Sequence, residues 1–148
     1  MSLIPTASST VFHLAFPVGN LEETKAFYIE GLGAISGRES PGALILNLYG
    51  TQLVAHVTRE IETPQRGIYP RHFGVVFGAL QDWQDLCDRA QAKRLTFYQE
   101  ARVRFGGEPL EHRTFFLADP FGNLLEFKHY ARPEAVFGMV GVGKIGDA

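Results

Sequence analysis

The sequence has one cysteine, no long apolar run and no excess of charge of either sign. Because a single cysteine cannot form an internal disulfide or a cysteine-based zinc site, we interpret Cys87 as a small buried apolar residue in a reducing compartment. No stretch approaches the ~18 apolar residues of a membrane span, and the first ten residues lack the basic and apolar regions of a signal peptide. We therefore expect a cytoplasmic protein that does not act at a membrane.

The balance of charges excludes a further class of partner. The chain has 14 Lys and Arg against 16 Asp and Glu, a net charge of −2, and its basic residues do not form runs. Because nucleic-acid binding requires clustered Lys and Arg opposite the phosphates, we expect no nucleic-acid partner. The 148 residues suffice for one domain with a hydrophobic core, so the expected partner is a small molecule.

The chain contains one order of elements twice: a strand, a helix and three strands. The first copy is predicted as strand 11–18, a helix from Leu21 to Gly31 or Gly33, and strands 34–39, 43–49 and 52–58. The second is predicted as strand 72–77, helix 80–94, and strands 95–105, 113–118 and 123–130. Such a repeat, occurring only twice, favours a single pseudo-symmetric α+β domain over a solenoid.

The repeat also sets the expected boundaries. The domain is predicted over 11–131, with module 1 at about 11–58, a linker at 59–70 and module 2 at about 71–131. Residues 1–10 are then an N-terminal extension, and 132–148 form a C-terminal tail with a turn of helix near 133–137.

Three side chains on three different strands have the chemistry to bind a metal. Because side chains alternate along a strand, His13 and His72 each lie opposite the bulky apolar face of their strand. Glu126 interrupts an apolar strand, where a buried carboxylate is costly unless it is paired or bound to a cation. Two imidazoles and a carboxylate suit non-haem Fe(II), and also Mn(II), Zn(II) or Ni(II). Structural histidines and a surface glutamate would give the same spacing, so the residues alone leave both interpretations open.

Several motifs resemble the vicinal oxygen chelate superfamily, which includes glyoxalase I, bleomycin and fosfomycin resistance proteins and extradiol dioxygenases. These motifs are His13 with AFPV, FY at 27–28, GLG at 31–33, His72 with FGVVF, and ADPFGNLLEF at 118–127. The resemblance implies two paired βαβββ modules that form a curled mixed sheet around a metal cavity, with helices on the outer face. It also implies that His13, His72 and Glu126 hold a divalent metal, with Fe(II) favoured, and that the protein forms a homodimer, as many relatives do.

The segments GRESPG, YGTQLVAHV, PRHFGVVF and DPFGNLLEFKHYARPEAVF look most like the small single-domain predicted dioxygenases of the extradiol type. By that resemblance His56 is a catalytic acid or base, although a glyoxalase-like fourth ligand and a structural role remain alternatives. One residue departs from the extradiol pattern: Phe116 stands ten positions before Glu126, where extradiol enzymes usually have Tyr. A hydroxyl would then have to come from elsewhere, with Tyr49, Tyr98 and Tyr130 as candidates.

Four side chains are candidate substrate contacts, namely Phe116, Arg104, His112 and Lys128. Arg104 would bind a carboxylate or phosphate if its strand face lines the cavity. Lys128 shares a face with Glu126 and would either pair with that carboxylate or attract an anionic substrate. His112 follows a glycine-containing loop that would cover the cavity. For Arg104, His112 and Lys128 alike, the alternative is a solvated side chain that does not contact substrate.

The expected function is a divalent-metal-dependent enzyme, with extradiol-type oxidation of a small catechol-like or vicinal-oxygen substrate chelated to Fe(II) as the first hypothesis. A glyoxalase-type isomerase or thiol transferase would use the same metal site. The non-enzymatic alternative is a ligand-sequestering protein like the bleomycin-resistance branch, which does not use protein metal ligands. The presence of both histidines and the glutamate at matching positions favours a metal enzyme.

Overall fold

The computed structural model describes residues 10–60, 65–138, 141 and 143–146, so most of the predicted N-terminal extension lies outside the described residues. Within them, the strands are β1 (His13–Val18), β2 (Ile35–Ser40), β3 (Ala43–Leu48), β4 (Thr51–Val57), β5 (Phe73–Val76), β6 (Thr96–Arg104), β7 (His112–Ala118) and β8 (Leu124–Tyr130). The α-helices are α1 (Leu21–Lys25) and α2 (Leu80–Ala92). A π-helix, Ala26–Gly31, continues α1, and a 3₁₀-helix, Pro133–Val136, follows β8. In this part of the chain no helix is long and apolar enough to cross a membrane.

The strands form two four-stranded mixed sheets, which confirms the predicted α+β class and the repeated βαβββ order. Sheet 1 has the order β1-β4-β3-β2 and sheet 2 the order β5-β8-β7-β6. β1 runs parallel to β4, and β5 runs parallel to β8, whereas the other neighbours are antiparallel. β1 and β5 are therefore equivalent edge strands of separate sheets.

The first helix begins where the sequence predicts and changes type halfway. The Asn20 side chain accepts a hydrogen bond from the Glu23 backbone N–H at 2.8 Å, as an N-cap does. The second half of this helix is the π-helix. It is only six residues long, so the apolar spacing that predicts a helix is not altered. Its last carbonyls are bound from module 2, because Arg89 of α2 donates to Gly31 O at 2.8 Å and to Glu30 O at 3.0 Å.

Both modules share one hydrophobic core. Apolar side chains from the helices and from the inner faces of both sheets form a single cluster in which the Phe16 and Phe73 ring centroids lie 5.3 Å apart. Trp83 of α2 donates its indole N–H to Phe127 O of β8 at 2.9 Å. The opposite faces of the two sheets, which carry His13 and His72, therefore point away from this core.

The turn at 119–122, which belongs to the ADPFGNLLEF motif, also joins the modules. Asp119 Oδ1 accepts from the backbone N–H groups of Phe121 and Asn123 at 2.9 and 2.8 Å, and Oδ2 accepts from the Tyr28 hydroxyl at 2.8 Å. Asn123 Nδ2 donates to Asp119 Oδ2 at 2.7 Å and to Pro17 O of β1 at 2.8 Å. Burial raises the pKa of Asp119, so the hydrogen bonds must compensate a costly buried carboxyl group.

Replacing Asp119 by Ala is expected to lower the free energy of unfolding by about 3 kcal/mol, because it leaves several buried donors without an acceptor. Tyr28→Phe removes one hydrogen bond and is expected to cost about 1 kcal/mol, since Asn123 still donates to the same carboxylate oxygen. Urea denaturation followed by circular dichroism measures both variants. Equal losses for the two would contradict the central role of Asp119.

Candidate functional site

His72 is held in one tautomer at the start of β5. Its Nδ1–H donates to Ile68 O at 2.6 Å, and because a carbonyl only accepts, the proton must be on Nδ1. Nε2 therefore faces Glu126, whose Oε1 lies 3.1 Å away. The rings of Tyr69 and Phe116 flank the imidazole, with centroids 6.2 and 5.1 Å from its own. The ring is thus fixed with Nε2 directed at a carboxylate.

Glu126 is buried in the middle of β8 and is oriented from both sides. Thr114 of β7 donates its hydroxyl to Oε2 at 2.6 Å, which leaves Oε1 for His72, and Lys128 Nζ lies 3.8 Å from Oε1. Burial alone would raise the pKa of Glu126, but hydrogen bonds with His72 and Thr114 and the charge of Lys128 lower it. The hydrogen bond to Glu126 raises the pKa of His72 against the effect of burial. The contact between the two groups therefore favours the protonated form of His72 and the ionised form of Glu126.

A glycine permits this close approach. Gly74 of β5 pairs with Glu126 of β8, and a Cβ atom built on Gly74 would lie 1.7 Å from Glu126 O. Any other residue at position 74 would force β5 away from β8, and His72 with it.

The pair fits a divalent metal. Adjacent nitrogen and oxygen ligands of a small divalent ion are about 3 Å apart, as Nε2 and Oε1 are here. Metal-binding histidines commonly donate their other N–H to a carbonyl, as His72 does to Ile68, and the proton between the two groups is one that a metal would displace. In the described part of the chain, no group of three or more His, Cys, Asp or Glu is arranged to hold a metal. Sheet 2 therefore supplies two candidate metal ligands, His72 and Glu126, which we call the metal half-site.

His13 lies on the exposed face of sheet 1 and is not brought to His72 and Glu126. The β1–β4 register pairs it with Gln52, and its Nδ1–H donates to Gln52 Oε1 at 2.7 Å. Its Nε2 is left to face outward, in the same tautomer as His72. The two histidines thus have equivalent positions and equivalent second contacts, but on different sheets.

His56 shares the exposed face of sheet 1 and lies farther along it. His56 pairs with Pro17 of β1. It is four residues beyond Gln52 in β4, a distance of about 13 Å along the strand. Gln52, not His56, is therefore the β4 residue next to His13. The role of His56 as acid or base stays a prediction.

The candidate substrate contacts lie on the same face of sheet 2 as Glu126. Phe116 pairs with Glu126, Thr114 pairs with Lys128, and Arg104 and His112 belong to the next row of the sheet. Phe116 is buried, and its ring forms one wall beside His72. These residues therefore follow one another along a single face, starting at the metal half-site.

His112 is buried, so the alternative interpretation of this residue as a solvated loop histidine is wrong. It is the first residue of β7, is buried, and donates its Nδ1–H to Leu110 O at 2.9 Å. Its ring packs on Tyr130, with centroids 4.8 Å apart. Burial lowers the pKa of His112, which favours a neutral ring. Of the candidate tyrosines, Tyr130 lies on this face, Tyr98 lines the crevice described next, and Tyr49 packs against Phe77.

A crevice of about 1080 Å³ opens between the modules beside His72. Its lining is mainly apolar and includes Ala15, Pro17, Phe73, Tyr98 and Leu124. A small molecule would reach the His72 ring through this crevice.

Thr114 and Gln52 are among the site residues that the sequence did not lead us to predict. Thr114 had a signal, because counting outward from the turn at 119–122 pairs 118 with 124, 116 with 126 and 114 with 128. Gln52 had none, because the parallel β1–β4 register depends on the intervening helix and hairpin.

Comparison with known proteins places these features in context. The Glyoxalase/Bleomycin resistance protein/Dioxygenase superfamily model matches residues 10–127. A glyoxalase/bleomycin resistance protein/dioxygenase from Alicyclobacillus acidocaldarius has a similar structure, with a TM-score of 0.83 and 38% sequence identity over 88% of this chain and 98% of that chain. The fosfomycin resistance protein FosX from Listeria monocytogenes (TM-score 0.65, 17% identity, 86% of this chain and 98% of that) shares the fold. So does TioX from Micromonospora sp. ML1 (TM-score 0.62, 15% identity, 82% of this chain and 98% of that). No curated protein sequence matches this chain at a significant level.

Proposed function

Because the chain belongs to the Glyoxalase/Bleomycin resistance protein/Dioxygenase superfamily, we propose that it is a divalent-metal-dependent enzyme whose ion is held by His72, Glu126 and His13 of a second copy. The observation that carries this proposal is the pair of His72 Nε2 and Glu126 Oε1, 3.1 Å apart, with Nδ1 bound to Ile68 O. Two prepared ligand atoms that face each other are what a metal site requires and a ligand-sequestering protein does not.

A second copy supplies what the chain by itself lacks. β1 and β5 are edge strands of different sheets, and each carries or adjoins one histidine whose Nε2 faces away from the core. The His13 face of sheet 1 is exposed, including Ala15 and His56. In a twofold dimer, His13 of each chain would meet His72 and Glu126 of the other, which gives two equal sites. This arrangement also covers two strand edges that are otherwise open to solvent.

The residues around the site have distinct roles in this proposal. Thr114 orients the Glu126 carboxylate, and the Ile68 carbonyl sets the His72 tautomer. A divalent ion bound there would act as a Lewis acid and align a substrate through two neighbouring oxygens, and Fe(II) would add the redox chemistry of oxygenation. Phe116 and Tyr69 flank His72 and would exclude water from one side of a flat, ring-shaped substrate.

The reaction we propose is extradiol-type cleavage of a small catechol-like ring. A site of two histidines and one carboxylate leaves coordination positions open for substrate and oxygen. Phe116 provides no hydroxyl, so the ring oxygens would be bound through the metal alone. The crevice beside His72 is apolar enough to receive a ring.

Oxygen uptake tests the reaction directly. Protein purified anaerobically and reconstituted with Fe(II) is expected to consume oxygen only when both iron and a catechol are present. An oxygen electrode with a panel of catechols measures this, and Glu126→Gln is the matched negative control. Retained metal without oxygen uptake would replace ring cleavage by isomerase or thiol-transfer chemistry at the same site.

A further inference from the structure

Next to the metal half-site, sheet 2 presents a pair of hydrogen-bond donors. We propose that Lys128 and Tyr130 form a carboxylate-binding subsite, so that the substrate is a ring with two neighbouring oxygens and a carboxylate on the far side. This inference rests on the proposed function, because the two oxygens are those that would chelate the metal.

The hydrogen bond between the two residues leaves donors available. Lys128 Nζ donates to Tyr130 Oη at 3.2 Å and lies 5.4 Å from the centre of the same ring. An ammonium group has three N–H bonds, so two remain, and Tyr130 keeps its own O–H for another acceptor. The Lys128 side chain is 28% exposed, so a ligand in the site can reach it. A lysine and a phenol that share one bond and keep their other donors are suited to an anion.

The Glu126 carboxylate does not use these donors. Glu126 Oε1 is 3.8 Å from Lys128 Nζ, beyond hydrogen-bond distance, and the Glu126 carboxylate already accepts from His72 and Thr114. A divalent ion on Glu126 would leave a net charge of about +2 at the ion, Glu126 and Lys128 together. A ligand with only two neutral or singly ionised oxygens would not balance that charge. A carboxylate beside Lys128, together with one ionised chelating oxygen, would balance it.

The spacing along the strand sets the size of the substrate. Lys128 and Tyr130 lie two and four residues beyond Glu126 on the same face of β8, roughly 6.8 and 13.6 Å along the strand between Cα atoms, and Lys128 Nζ reaches back to 3.8 Å from Glu126 Oε1. A benzene ring that chelates through two adjacent oxygens places a carboxylate para to one of them within this span. The subsite therefore favours 3,4-dihydroxybenzoate over catechol itself, which has the same chelating oxygens and no carboxylate.

Isothermal titration of the Zn²⁺-loaded protein under anaerobic conditions compares these two ligands. The wild type is expected to bind 3,4-dihydroxybenzoate about tenfold more tightly than catechol. In Lys128→Met, which keeps an apolar side chain of similar length, this preference is expected to fall to less than about twofold, with little change for catechol. Lys93→Met removes the same charge from an exposed position after α2 and is expected to behave as the wild type.

The outcomes separate this inference from the proposed function. A wild type that takes up no zinc would overturn both. A wild type that binds zinc and catechol but does not prefer 3,4-dihydroxybenzoate would overturn the subsite alone, as would an unchanged preference in Lys128→Met. Should Lys128→Met fail to fold or to hold zinc, Tyr130→Phe replaces it, with an expected loss of about threefold in preference, and an unchanged preference would likewise overturn the subsite.

Discussion

Glu126→Gln is expected to lower the zinc content of the reconstituted protein from about one ion per chain to nearly none, because a neutral amide is a poor ligand for a divalent ion. His72→Ala is expected to do the same, since it removes the other ligand atom of the 3.1 Å pair. Metal analysis after dialysis against a known free zinc concentration measures both variants. Stoichiometric zinc in either variant would contradict the half-site on sheet 2.

Two graded controls belong with these variants. Thr114→Val keeps the carboxylate but removes its 2.6 Å hydrogen bond, and it is expected to weaken zinc binding by about 10- to 100-fold without abolishing it. His56→Ala is expected to retain full zinc binding, because His56 lies about 13 Å along β4 from the residue beside His13. Zinc lost in His56→Ala would restore the fourth-ligand interpretation.

The sequence predicts the faces of the strands well because a period of two is local information. His13, His72 and Glu126 all lie opposite the shared core, as alternation requires. The β7–β8 register also follows from the short turn at 119–122. These features depend on residues that are near each other along the chain.

The relative position of the two modules could not be predicted in this way. It depends on contacts such as Tyr28 with Asp119, 91 residues apart, and Arg89 with Gly31, 58 residues apart. Strand faces therefore indicated three candidate ligands, but they did not indicate that His13 lies on a different sheet from His72 and Glu126. For the same reason the burial of His112 was not predicted, since residues remote in sequence determine it.

Coexpression of two differently tagged variants decides whether the third ligand comes from a second copy. In a dimer of His13→Ala with Glu126→Ala, one shared site has His13, His72 and Glu126 intact, and the other has lost two ligands. Tandem purification of this mixed dimer is expected to yield about one zinc ion per dimer, whereas each variant by itself binds none. His13 is exposed, so its replacement should not disturb folding.

The reciprocal pairing must give the opposite result. When a wild-type chain is paired with a His13→Ala/Glu126→Ala double variant, each shared site lacks one ligand, and no zinc is expected. If all three ligands instead belonged to one chain, the wild-type chain of this dimer would keep about one ion, and the dimer of single variants would hold none. A site shared between two copies and a site within one chain therefore predict opposite zinc contents for each of the two mixed dimers. Failure to recover any mixed dimer would reject the second-copy site outright.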